Sequence, residues 1–165
     1  MERYKGNWNS VNTHTVPKWY EDCKFGIFIH WGIYSVPAFA PHTWELGEVD
    51  SKEWFADNPY AEWYYNSLNI GKGPTYEHHM EKYGKDFKYE DFIPMWKAEN
   101  WDPKQWAEIF KEAGAEYVVL TTKHHDGFCL FDSALTDYKA TNTKAGRDLV
   151  REYVDAFRAE GLKIG

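Results

Sequence analysis

The chain is short of several things, and each shortage excludes something. Only two cysteines, Cys23 and Cys129, occur in 165 residues, and they lie far apart. Two do not make a disulfide framework, so both are expected as reduced core thiols. No apolar run approaches the roughly 18 residues of a membrane span, so no membrane partner is expected. Met1 to Gly6 carries no apolar leader run, and the expected compartment is the cytoplasm. Basic residues are outnumbered: 19 Lys and Arg stand against 26 Asp and Glu, a net charge of −7. A general nucleic-acid binder needs clustered Lys and Arg, so nucleic acid is set aside as a partner. A GxGxxG turn, a GxxxxGKS/T phosphate loop and an HExxH or HxH metal pair are all missing.

Aromatic residues are abundant instead, at 19% of the chain with nine Trp and twelve Tyr. Ordinary packing does not need that many indoles. A surface that holds flat, partly apolar ligands does. Hydrophobic residues at 43% and charged residues at 27% are ordinary for a globular chain and exclude a disordered or low-complexity one. The length is a soft prior for one domain.

Strand and helix patterns alternate. Phe25-Gly26-Ile27-Phe28-Ile29-His30-Trp31-Gly32 is a short β-branched and aromatic run bounded by glycines, which predicts a buried strand ending at His30. Residues 33–56 read as a loop. Pro59 starts a predicted helix through Asn66, and Thr75 to Tyr83 reads as a short helix closed by Gly84. Asp102, Pro103 and Gln105 form a helix start, with Trp106, Ile109, Phe110 and Ala113 on one face and Gly114 at the end. Glu116 to Thr122 is a second buried strand, followed by the polar group Lys123-His124-His125-Asp126. A helix from about Arg147 to Glu160 and a third strand from Leu162 follow. Alternating buried strands and amphipathic helices imply βαβ units and a parallel α/β sheet. Without a Gly-rich phosphate turn after the first strand, a (β/α)8-like TIM barrel fits better than a doubly wound sheet. Three strands make only its N-terminal portion, since a barrel takes about 250 residues.

Three polar clusters carry the candidate chemistry. His30 ends the first strand, His124 and His125 end the second, and Glu62-Trp63-Tyr64 lies in the long insertion between them. If the two strands pair, His30 and His124 meet at one mouth. Imidazoles there can bind a metal or hydrogen-bond hydroxyl groups. The ligand spacing favours hydroxyls, so no metal and no cofactor are expected. A solvated loop with no role is the plain alternative for the histidines, and packing is the plain alternative for the aromatic run. Glu62 adds an acceptor and Trp63 a ring face for apolar C–H groups. Apolar faces with polar edges are what a sugar presents. His78 and His79, among charged residues, are expected on a solvated face.

Four segments carry a resemblance: Lys24 to Gly32, Ser35-Val36-Pro37-Ala38, Glu62-Trp63-Tyr64, and Tyr117 to Phe128. In this order they resemble the N-terminal part of the α-L-fucosidases, glycoside hydrolase family 29, over nearly the whole chain. The resemblance implies a catalytic barrel, usually followed by a β-sandwich, and retaining hydrolysis of terminal α-linked L-fucose through a covalent fucosyl-enzyme. It implies that His30, His124 and His125 hydrogen-bond fucose hydroxyls, with Glu62 as a hydroxyl-binding carboxylate and Trp63 as its neighbouring indole. The partner is then a fucosylated saccharide, and the family needs no metal. Residues 1–165 would be part of that catalytic barrel. The family's nucleophilic Asp follows the fourth strand and its acid/base comes later, so both are expected beyond Gly165. Asp126, Glu45 and Glu48 are the nearby carboxylates, and the resemblance makes none of them the nucleophile. Asp126 is expected to orient its loop by accepting from backbone N–H groups. A non-catalytic fucose-binding module and a metal hydrolase remain as alternatives.

Overall fold

The computed structural model describes residues 4–42, 48, 50 and 53–165. Glu45 lies outside them. Two short helices, α1 (Trp8–Val11) and α2 (Lys18–Asp22), precede strand β1 (Gly26–Ile29). The insertion that follows holds α3 (Tyr64–Ile70), α4 (Pro74–Lys82) and a 3-10 segment (Tyr89–Met95). Then come α5 (Pro103–Glu112), β2 (Tyr117–Leu120), α6 (Leu149–Ala159) and β3 (Lys163–Ile164). The strands form one parallel sheet in the order β1-β2-β3, with Gly26 opposite Tyr117 and Tyr117 opposite Lys163. Parallel neighbours need crossover connections, and α6 supplies the second one. The chain therefore has an α/β fold. No described helix is long and apolar enough to cross a membrane.

Local sequence explains most of these boundaries. The Asp102 carboxylate accepts from the Gln105 N–H at 3.1 Å and Pro103 opens α5, a capped start worth about 1 kcal/mol. Asp148 caps α6 in the same way, accepting from Arg151 N at 2.8 Å. Leu149, Tyr153 and Phe157, spaced by four, make the buried stripe of α6. Phe157 meets Phe110 of α5 with ring centroids 5.6 Å apart, and the Tyr153 hydroxyl donates to the Val118 carbonyl of β2. Helix and sheet are thus joined by apolar packing and one buried hydrogen bond.

Strand β1 departs from the expected fully buried run. Ile27 and Ile29 pack on the core, while Phe28 points the other way and is 64% exposed. Alternation along a strand sends neighbours to opposite faces, and on this face the rings of Tyr117, Trp19 and Tyr20 gather without covering Phe28. Gly26 is required by a close approach: a Cβ there would meet the Tyr117 ring at 2.1 Å. That ring sits among Trp19, Tyr20 and Phe28. Both cysteines are free thiols, but only Cys129 is buried, and Cys23 is half-buried just after α2.

The insertion absorbs much of the aromatic content. Tyr64, His79, Tyr83, Phe87 and Phe92 form one contact group with centroid separations from 4.9 to 6.3 Å, counting Tyr89 at its edge. His79 belongs to this core and not to a solvated face. It is fully buried, with Nε2 2.8 Å from the Phe87 carbonyl and Nδ1 2.9 Å from the Tyr64 hydroxyl. A carbonyl only accepts, so Nε2 carries the proton and the Tyr64 hydroxyl donates to Nδ1. His78 is also packed, stacked on Phe39 at 3.7 Å. Helical periodicity alone hid this, because the partners lie outside the helix.

Candidate functional site

The parallel pairing of β1 with β2 brings two strand ends together. Ile29 is opposite Leu120, so His30 and the loop that starts after Leu120 leave the sheet side by side. The His30 and His124 ring centroids are 5.9 Å apart and nearly perpendicular. C-terminal strand ends are where parallel α/β folds gather their chemistry. The 3-10 turn Ala61–Trp63 then brings Glu62 and Trp63 to the same mouth. Trp63 lies 6.2 Å from His124 and 4.3 Å from His125, with the His125 ring tilted 32° to the indole. His124 and His125 stand edge to face at 4.8 Å. All five residues singled out in the sequence therefore meet in one place.

The groups at this mouth differ in exposure. His30 and His125 are exposed, while Glu62, Trp63 and His124 are half-buried. Burial, reinforced by the neighbouring His125, holds the His124 imidazole below the ordinary histidine range, and Glu62 and Asp126 oppose that only in part. A neutral imidazole offers one donor and one acceptor, which suits a hydroxyl group. One ligand atom from each of His30, Glu62 and His124 lies within 4.8 Å of the others, so this trio also has the composition of a metal-binding group.

Asp126 is committed to structure. Its Oδ2 accepts from the Tyr89 hydroxyl at 2.8 Å and its Oδ1 from the Phe128 N–H at 3.1 Å. The backbone bond is the loop-orienting contact expected from the sequence, and the tyrosine bond adds a tie to the insertion. Burial raises the Asp126 carboxyl above the ordinary range, and the Tyr89 hydrogen bond acts against that rise.

Tyr34 went unnoticed in the sequence. It is 3% exposed, its ring is 5.6 Å from His124, and its hydroxyl is buried with no hydrogen-bond partner among the described residues. Burial first, then Asp126 and Glu62, push its phenol well above the ordinary tyrosine range, so it stays protonated and available to donate. No spacing rule marks it. Its place follows from the tight turn Ile33–Ser35 just after His30.

A sequence model described as Alpha-L-fucosidase matches residues 1–165. The chain belongs to the α-L-fucosidase family. An α-L-fucosidase of Dictyostelium discoideum is 37% identical over 99% of this chain and 33% of its own length. The plasma α-L-fucosidase of Homo sapiens is 39% identical over 94% of this chain and 30% of its own. A solved Thermotoga maritima α-fucosidase in complex with fucose is similar at 52% identity and a TM-score of 0.86, over 99% of this chain and 36% of that one. The chain thus spans about a third of the length of these fucosidases.

Proposed function

We propose that this chain is the fucose-recognising front part of a retaining α-L-fucosidase, with β1, β2 and β3 as the first three strands of a (β/α)8-like barrel. The observation that carries the reading is the meeting of His30 with His124 at adjacent strand ends, with Glu62 and Trp63 beside them. His30, His124 and His125 hydrogen-bond sugar hydroxyls. Glu62 accepts from a hydroxyl, and the Trp63 ring covers an apolar C–H face. Tyr34 packs edge to face against His124.

Retaining hydrolysis needs two carboxyl groups about 5–5.5 Å apart, one as nucleophile and one as acid/base. Asp126 has both oxygens engaged, which argues against it in either role. The reacting pair is assigned to sequence that follows residue 165 in the family. The substrate is a saccharide with a terminal α-linked L-fucose.

Hydrolysis of an aryl α-L-fucoside by the full natural chain tests this, with the anomer of released fucose read by NMR. His30→Ala and His124→Ala should lower kcat/KM sharply, while residues 1–165 alone should give no turnover. Full activity in both variants would refute the site assignment. L-fucose binding without hydrolysis by the full natural chain would favour a binding module instead.

A further inference from the structure

The trio at the mouth has a second chemistry. We propose that His30, Glu62 and His124 close on one borderline divalent cation of the Zn2+ class, which then blocks the mouth to the sugar. The cation is an inhibitor here and not a resident cofactor. The blocking half of this proposal rests on the reading of the mouth as a fucose pocket.

The donor set argues for that class of ion. Two imidazoles and one carboxylate are a ligand combination that Zn2+ accepts in open sites, where three protein ligands leave a fourth position for water. Ca2+ and Mg2+ prefer oxygen ligands and larger or octahedral shells, so they are poor candidates for a site that is two-thirds nitrogen. Cu2+ ranks with or above Zn2+ for such donors and should bind there too.

The distances argue that little movement is needed. The three donor atoms already lie within 4.8 Å of one another. Metal–ligand bonds of about 2.0–2.2 Å around a tetrahedral ion place donors about 3.4 Å apart. The difference is within the reach of side-chain rotation. His30 is exposed and sits just past the end of β1, so its ring is free to swing toward the other two. His124 is half-buried, and its Nδ1 has no hydrogen-bond partner among the described residues, so no bond at that nitrogen ties the ring down. His125 lies under Trp63 and is not part of the trio.

Occupation by a cation and occupation by a sugar are then alternatives. The same three side chains would be consumed in coordination, and none would be left to bond hydroxyl groups at that point.

Titration calorimetry with ZnCl2 on the full natural chain tests the idea, with Co2+ absorption in the visible range as a check on tetrahedral coordination. One equivalent should bind. His30→Ala, Glu62→Gln and His124→Ala should each weaken it by more than the roughly 10–100-fold cost of losing an outer-sphere partner. His14→Ala, an exposed histidine bonded to Tyr4, should bind zinc like the parent. L-fucose should raise the apparent Kd for zinc. If the three variants bind zinc like the parent, or L-fucose binds and zinc does not, the cation site is overturned. If zinc binds through the trio and L-fucose neither binds nor competes, the cation site stands and the fucose reading falls.

Discussion

The Tyr89 hydroxyl donates to Asp126 Oδ2 at 2.8 Å, joining the insertion between β1 and β2 to the loop that carries His124 and His125. Both residues are buried. This bond is a strut behind the mouth: it touches no candidate ligand, yet it fixes the loop from which two of the histidines project.

Tyr89→Phe should remove the strut without opening a cavity. Asp126 would keep one bond, to Phe128, and leave Oδ2 buried without a donor. The expected cost is about 1–3 kcal/mol, read as a lower urea midpoint at unchanged slope. The Asp126 carboxyl should also rise further above the ordinary range, because a contact that lowers it is gone.

His124 should make stability depend on pH. A histidine whose folded pKa is depressed favours the folded state above its unfolded value and loses that advantage as pH falls toward the folded one. The window therefore opens near the ordinary value of 6.5 and extends downward. Urea midpoints at pH 7.5 and pH 5 should differ, and His124→Gln should shrink the difference. An equal pH dependence in the variant would show that His124 contributes none of it.

His79→Ala should be the most damaging single change in the insertion. It deletes hydrogen bonds to Tyr64 and the Phe87 carbonyl and empties a fully buried site among Tyr83, Phe87 and Phe92. A loss of about 2–5 kcal/mol is expected in denaturant unfolding. His78→Ala should cost less, since that ring is only half-buried and makes mainly the Phe39 stack.

Trp63→Ala should weaken L-fucose binding by about 1–2 kcal/mol, roughly 5- to 30-fold in Kd, with Trp63→Phe recovering part of it. Calorimetry with the full natural chain measures both. Unchanged binding in Trp63→Ala would leave the indole a packing role alone, against Trp54, Phe55, His124 and His125.

Much of the frame was legible because it is local. The Asp102 cap, the four-residue stripe Leu149, Tyr153 and Phe157, and the runs that became β1 and β2 each declare themselves within a dozen residues. The five candidate residues stood out in the sequence because they lie at strand ends or in a short aromatic motif, and the fold brings them together. What escaped depends on distant partners. The burial of His79 is set by Tyr64 and Phe87 across the insertion, and the placement of Tyr34 beside His124 is set by strand pairing. The exposure of Phe28 reflects which face of the sheet the helices cover. None of these leaves a periodic trace.

The register that puts Gly26 opposite Tyr117 also has a kinetic meaning. Strand β2, helix α6 and strand β3 follow one another closely, whereas β1 must wait for the whole insertion before it finds β2. Closing so long a loop is entropically slow, so the β2–α6–β3 unit should assemble first and β1 should dock late. The mouth exists only once β1 has docked. A ligand held there would thus report on the docking of β1, and its binding would select chains in which β1 and β2 have already paired.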